Sequence, residues 1–122
     1  MARAEVPGPF CFNDTADTGI YTLEVGKAPE YLRLYEREGL AIQEPILGNL
    51  IGYFSSEIGD LNLIVHMWGY ESYEERTRRR AELVANEGWK AYVEKVRPFI
   101  LRQENRILIP APTALRRRVL AS

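Results

Sequence analysis

The sequence predicts an α+β domain of the ferredoxin-like type, with element order βαββαβ and a four-stranded antiparallel sheet. Three observations lead to this fold class. The 122 residues suffice for one domain around a single hydrophobic core. Four segments rich in β-branched and aromatic residues are separated by helical regions in that order. The segment from Trp89 to Ile100 has apolar residues at the spacing of an amphipathic helix.

The first half of the chain predicts an arm, a strand and a helix. Residues 1–17 contain two prolines around a glycine, and this composition indicates an irregular N-terminal arm. Residues 18–25 are predicted as the first strand because they combine β-branched and aromatic side chains. A helix is expected to begin at Pro29 and to be interrupted at Gly39 and Pro45.

The second half predicts a β-hairpin followed by a divided helical region. Residues 49–58 and 62–71 are expected to form strands two and three, with a turn between them. Ser72 and Glu75 have the spacing of a capping box, which marks the start of a helix. Asn86 indicates a second cap, so the helical region is expected to divide there.

The last predicted strand covers residues 101–109, just before two prolines. The ferredoxin-like domain is therefore expected to occupy residues 18–110, and residues 111–122 are expected to form a C-terminal tail.

Both faces of the predicted sheet carry apolar side chains. In strand three, one face takes Leu63, Val65 and Met67, and the other takes Ile64, His66, Trp68 and Tyr70. In this topology both helical regions cover a single face, which leaves a second apolar face open to solvent. The sequence therefore predicts a homodimer in which two sheets pack face to face. The alternative is that the arm or the tail of the same chain covers the open face.

Three segments of the chain together resemble the NIPSNAP family, over about Ile20 to Leu108. They are IYTLEVGKAPEYLRLYEREGLAIQEPILGNLIGYF, then LNLIVHMWGYES, and then ERTRRRAEL followed by EGWKAYVEKVRPFILRQENRIL. The resemblance implies the dimeric α+β barrel superfamily, and it implies no agreed enzymatic reaction. Eukaryotic members are associated with mitochondria, mainly as interaction proteins. The wider superfamily includes cofactor-free monooxygenases, haem proteins and isomerases, whose ligands lie between helices and sheet.

The first strand departs from the family pattern. Family members usually begin it with a pattern like Tyr-Glu-x-Arg-x-Tyr, and the matching positions here are Ala16, Asp17, Gly19 and Tyr21. Only the final tyrosine is kept, so the role of the family's Glu and Arg does not carry over to this chain.

His66 is the candidate catalytic residue because it is the only histidine, and histidine is the side chain whose ordinary pKa lies near neutral pH. Tyr53, Trp68 and Tyr70 share its predicted face and are the candidate ligand-binding residues. A pocket of this kind suits a small hydrophobic or aromatic ligand, or proton abstraction from a phenol or enol. The competing interpretation is that His66 has a structural role in a core or an interface.

Composition argues against several other classes of function. The formal net charge is −1, and neither arginine run (76–80 and 116–118) is interleaved with stacking aromatic residues. We therefore expect solvated surfaces there and no nucleic-acid binding. No apolar run is long enough for a membrane span. One histidine and one cysteine, Cys11, predict neither a metal site nor a cofactor, and they favour a reducing, cytoplasmic location.

Two functions remain open at this stage. The first is a homodimeric NIPSNAP-like protein of unestablished activity that binds small molecules or interacts with other proteins. The second is a cofactor-free monooxygenase- or isomerase-like enzyme acting on an aromatic or enolisable substrate, with His66 as general base.

Overall fold

The computed structural model describes residues 15–109, and within this range the chain forms one four-stranded antiparallel sheet with the strand order β2-β3-β1-β4. The elements are β1 (Thr15–Leu23), α1 (Ala28–Leu34), α2 (Leu40–Leu47), β2 (Leu50–Ser55), β3 (Leu63–Tyr70), α3 (Tyr73–Ala85), α4 (Glu87–Val96) and β4 (Ile100–Leu108). The predicted ferredoxin-like βαββαβ order is confirmed, with each helical region divided into two helices.

Strand β1 begins earlier than the sequence predicts. Residues 15–17, expected to belong to the arm, are part of the sheet because they pair with β3 on one side, and Ala16 and Asp17 pair with β4 on the other. The pairing partners come from distant parts of the chain, so local propensity gives no sign of them. The rest of the predicted arm, the domain limit at residue 110 and the predicted tail lie outside the described residues.

The expected helix interruption takes a milder form than a break. A π-helical turn, Tyr35–Gly39, joins α1 to α2, and Pro45 lies inside α2. Helix α2 ends at Gly48, which has a φ of 96°. Glycine adopts this positive φ at little energetic cost because it has no Cβ. The helical conformation therefore continues through Gly39.

The predicted helix caps are present. The Ser72 Oγ accepts a hydrogen bond from the Glu75 backbone N–H at 3.0 Å, and the Glu75 carboxylate accepts one from the Glu71 N–H at 2.7 Å. The Asn86 Oδ1 accepts from the Trp89 N–H at 2.9 Å, which starts α4. These two caps fix the residues at which α3 and α4 begin.

The core lies between the helices and one face of the sheet. One buried cluster joins β1 and β3 to α1 and α4 and consists of Leu23, Tyr31, Tyr35, Ile64, Tyr92 and Val96. A second joins β3 to α2 and α3 and consists of Leu47, Trp68, Tyr70 and Leu83. The inward residues of β3 contribute to both clusters, so this central strand positions the candidate site.

The opposite face of the sheet, called here the open face, is apolar and less buried. The register places Ile20 and Phe54 on either side of Val65 in one cross-strand row. Val65 and Ile20 are half-buried, and the Phe54 side chain is exposed. The described helices pack on the other face, so they leave this row uncovered.

Candidate functional site

His66 lies at the centre of β3 and faces the helices. Its backbone pairs with Gly19 of β1 and with Tyr53 of β2, and only 5% of its surface is exposed. The sequence alone left open whether this face meets the helices or a partner chain. The structure places the imidazole inside the protomer, between sheet and helices.

Aromatic rings enclose the imidazole on two sides, and strand β1 encloses it on a third. The Tyr53 ring stacks on it with centroids 5.2 Å apart, and the Tyr21 ring meets it edge-on at 4.9 Å. A methyl group on Gly19 would overlap the imidazole, so the glycine is what allows the ring to lie against β1. The orientation of His66 is therefore fixed by packing.

The tyrosine cluster, defined as Tyr21, Tyr31, Tyr35, Tyr53 and Tyr92, extends this environment toward α1 and α4. The Tyr35 ring stacks on Tyr53 at 4.3 Å, and the Tyr31 and Tyr53 hydroxyl oxygens are 3.3 Å apart. The Tyr35 hydroxyl donates to the Gln43 Oε1 at 2.6 Å. A continuous aromatic layer with several polar ends thus surrounds His66.

Both ring nitrogens of His66 are buried and form no hydrogen bond with any described residue. Burial lowers the pKa of His66 to about 4; Asp17 raises it and Arg80 lowers it further by smaller amounts. The ring is therefore neutral near pH 7 and offers one N–H donor and one acceptor nitrogen. Buried polar groups are nearly always paired, so two unpaired nitrogens on one buried ring are an unusual feature of this core.

Burial also keeps the neighbouring phenols protonated. It raises the pKa of Tyr31, Tyr35, Tyr53 and Tyr92 well above the ordinary tyrosine value. These hydroxyls are therefore uncharged and can donate hydrogen bonds at physiological pH. The Tyr92 hydroxyl is buried beside that of Tyr31. The aromatic rings and hydroxyls around His66 are therefore uncharged, and the charges that act on its pKa are those of Asp17 and Arg80.

The structure brings the predicted lining residues together in part. Tyr53 is in direct ring contact with His66. Trp68 and Tyr70 lie on the same inward face of β3, as predicted, but they pack in the second buried cluster with Leu47 and Leu83. Sequence reasoning missed Tyr21 and Tyr31, which a search for inward positions on β1 and α1 would have found.

Sequence reasoning also missed a buried ion pair on the inward face of the sheet, next to Trp68 in the register. Asp17 is 2% exposed, and its Oδ2 accepts hydrogen bonds from the Arg76 Nε at 2.9 Å and from the Arg80 Nη1 at 3.5 Å. The Asn105 Nδ2 donates to the other carboxylate oxygen at 3.0 Å. The expectation of a solvated arginine run is wrong for Arg76 and Arg80, because these two fasten α3 to the sheet. Arg76 and Arg80 are four residues apart and so lie on one face of the helix, and this spacing could have indicated a shared partner.

Arg79 points toward α2 instead. Its Nη1 donates to the Ile46 carbonyl oxygen at 3.0 Å, and its Nε pairs with Glu75 at 3.1 Å. A shallow depression of about 420 Å³ opens at the start of α3 and is lined by Glu71, Ser72, Glu74, Glu75 and Arg78. None of these residues belongs to the layer around His66.

Residues 15–109 contain no group of three histidine, cysteine, aspartate or glutamate side chains placed to hold a metal ion. None of the helices in the same range combines the length and apolar character needed to cross a bilayer.

Comparisons with known proteins place this geometry in context. A solved structure of an uncharacterised NIPSNAP-like domain protein from Burkholderia xenovorans is 46% identical, with a TM-score of 0.82 over 84% of this chain and 90% of that one. A putative antibiotic biosynthesis monooxygenase from Nitrosomonas europaea covers 85% of this chain and 96% of its own at 10% identity and a TM-score of 0.61. At that identity, the second likeness shows the fold alone.

Sequence relatives lead to the same family. Protein NipSnap homolog 1 of Danio rerio is 37% identical over 60 residues, which is 49% of this chain and 22% of that protein. The chain thus spans only about a fifth of the length of this relative. The NIPSNAP family model matches residues 17–115, which includes both buried clusters and β4. The chain therefore belongs to the NIPSNAP family.

Proposed function

We propose that this protein is a homodimer in which each protomer binds a small molecule through an uncharged aromatic group placed against His66. One observation carries the binding proposal: both nitrogens of a buried, neutral imidazole lack a hydrogen-bond partner among the described residues. A ligand hydroxyl or carbonyl would satisfy one of them, while its ring would stack within the tyrosine cluster.

The charge of the surroundings selects the chemistry of the group bound there. His66 is neutral near pH 7, and the neighbouring phenols are protonated. A charged group placed among these uncharged rings would lose its hydration without gaining a counter-charge. That desolvation costs on the order of several kcal/mol. Phenols, naphthols and conjugated ketones meet these conditions.

Catalysis by His66 as general base is a second candidate, because the neutral ring keeps an acceptor nitrogen. A general base works best when its pKa lies near the working pH. Burial holds the pKa of His66 at about 4, so the ring is a weak base near pH 7. Binding is therefore the function that the geometry supports better than proton abstraction.

The open face supports the dimer part of the proposal. Ile20, Val65 and Phe54 form one apolar cross-strand row, and the described helices leave it uncovered. The same row on a second copy, related by a two-fold axis, would remove it from water. In this arrangement the two His66 sites lie on the far sides of the paired sheets.

We also propose a cytoplasmic location. The single cysteine, Cys11, supports it, because a chain with one cysteine cannot form an internal disulfide and so suits a reducing compartment.

A thermal-shift screen of phenols, naphthols and aromatic ketones tests the binding proposal. The wild type is compared with His66→Phe, which keeps an aromatic ring and removes both nitrogens. Val96→Ala is the matched control, because Val96 is buried in the same cluster without being a ring neighbour of His66. We expect hits that stabilise the wild type and Val96→Ala and that fail to stabilise His66→Phe. The proposal is wrong if no compound stabilises the wild type, or if His66→Phe responds as the wild type does.

A further inference from the structure

The inward polar groups of β3 continue beyond His66. His66, Trp68 and Tyr70, called here the β3 polar row, alternate along one face of the strand, and each is at most 5% exposed. The Trp68 Nε1 is buried and, like the His66 nitrogens, forms no hydrogen bond with a described residue, and the Tyr70 hydroxyl is buried beside Arg80. Three consecutive inward side chains therefore present polar atoms to the layer between sheet and helices.

The two ends of the row differ in charge. Asp17 pairs with Trp68 across strands β1 and β3, and its carboxylate contacts the guanidinium groups of both Arg76 and Arg80. One carboxylate facing Arg76 and Arg80 leaves a local excess of one positive charge. Burial raises the pKa of Tyr70 to about 12, and Arg80, which lies within hydrogen-bonding reach of the phenol, lowers it by a smaller amount.

The polar groups at this end act as donors. An indole N–H and a guanidinium donate only, and the Tyr70 phenol, with its pKa of about 12, stays protonated and can donate. The Arg80 side chain is 37% exposed and contacts Asp17 through Nη1 at 3.5 Å, so it has N–H groups beyond those that face Asp17 and Tyr70. Donors with excess positive charge match an anionic oxygen, and a carboxylate fits a guanidinium best.

We propose that Trp68, Tyr70 and Arg80 form a carboxylate subsite, so that the ligand is an elongated aromatic acid. Its uncharged hydroxyl or carbonyl lies at His66 and its carboxylate lies at the other end of the row. This inference rests on the function proposed above, because His66 supplies the first anchor. The row sets the length: His66 and Tyr70 are four residues apart, which is about 13 Å along a strand.

The test uses three rod-shaped probes of matched width. The first is a biphenyl with a hydroxyl at one end and a carboxylate at the other, the second is its primary amide, and the third lacks the carboxylate. Dissociation constants are measured by calorimetry for the wild type, Tyr70→Phe, Arg80→Gln and His66→Phe. Arg78→Gln is the matched control, because Arg78 is an exposed arginine on the same helix. Tyr70→Phe keeps the ring in the buried cluster and removes only the hydroxyl beside Arg80, so we expect it to fold normally.

The expected result separates the two anchors. The acid should bind the wild type at least about tenfold more tightly than the amide, because it gains charge-assisted hydrogen bonds. Tyr70→Phe and Arg80→Gln should each remove most of that preference, and Arg78→Gln should keep it. Equal binding of acid and amide, with sensitivity to His66→Phe alone, overturns the subsite and leaves the proposed function standing. If none of the probes binds the wild type, the subsite is overturned; the proposed function falls with it only if the thermal-shift screen of phenols, naphthols and aromatic ketones also gives no hit.

Discussion

At the scale of single residues, the fit between Gly19 and His66 defines the candidate site. The imidazole occupies the space that a side chain at Gly19 would take. Alternation along β3 predicted which residues share a face with His66, because successive side chains of a strand point in opposite directions. That this face meets the helices depends on how the helices return over the sheet, which residue types alone do not show.

Gly19→Ala should destabilise the protein by about 1–3 kcal/mol, the typical cost of forcing an extra methyl group into a packed core. His66→Ala also destabilises, because it leaves a cavity. In the double variant the new methyl group occupies part of that cavity, so the combined loss should be smaller than the sum. Urea unfolding of the four proteins measures this coupling. Additive losses would show that the glycine has no specific relation to the imidazole.

Stability should depend on pH through His66. Its pKa falls from 6.5 in the unfolded chain to about 4 in the folded protein. Between these two values the unfolded chain binds more protons, so stability is complete above about pH 6.5 and declines as the pH falls toward 4. The loss is on the order of 3 kcal/mol, at 1.36 kcal/mol per pKa unit.

The comparison protein for the pH prediction is His66→Phe. Carboxylates titrate in the same range in both proteins, so the difference between the two curves isolates the imidazole, which is the only one in the chain. Unfolding free energies measured by urea titration at several pH values give both curves. Parallel curves for the wild type and His66→Phe would contradict the lowered pKa.

At the scale of elements, α3 is anchored to the sheet by charge. Arg76 and Arg80 reach Asp17 from the same helix face, and the second buried cluster packs beside them. The sequence predicted this helix and its caps from the pattern around Ser72. It could not show that two of the charges point inward, because the partner carboxylate lies almost sixty residues earlier in the chain (59 residues from Arg76).

Asp17→Asn should therefore be costly. The substitution leaves two guanidinium groups facing a neutral amide in a mostly buried position, and we expect a loss of about 2–4 kcal/mol. Lys95→Gln is the matched comparison: it breaks an ion pair with Glu38 whose lysine side chain is 56% exposed. Exposed pairs contribute at most about 1 kcal/mol, so this change should be small. Similar midpoints in urea unfolding for the two variants would show that the Asp17 contact does not hold α3 in place.

At the scale of the whole molecule, the two faces of the sheet have different roles. The inward face carries the core and the β3 polar row, and the open face carries apolar side chains with no described helix over them. The sequence predicted two apolar faces from period-two alternation, and it did not show which of them meets the helices. The dimer that would cover the open face stays a prediction, and its test is a measurement of mass in solution.

Val65→Glu should convert the dimer into a monomer at micromolar concentration. The new charge would lie in the centre of the paired open faces without a partner. Val84→Glu is the matched control, because Val84 is 62% exposed on α3, so that variant should remain dimeric. Sedimentation velocity reports the mass of each. A monomeric wild type would exclude the dimer and favour cover of the open face by the arm or tail of the same chain.

The sequence by itself determined the order of the elements, the helix caps and the sharing of faces, because each of these depends on residues close together in the chain. Periodicity near Trp89 and the cap at Ser72 are local signals of this kind. Only the tertiary structure decided that His66 faces the helices, that residues 15–17 extend the sheet, and that Asp17 meets Arg76 and Arg80. These features depend on contacts between distant segments, whose free energy is gained only once the helices have packed on the sheet.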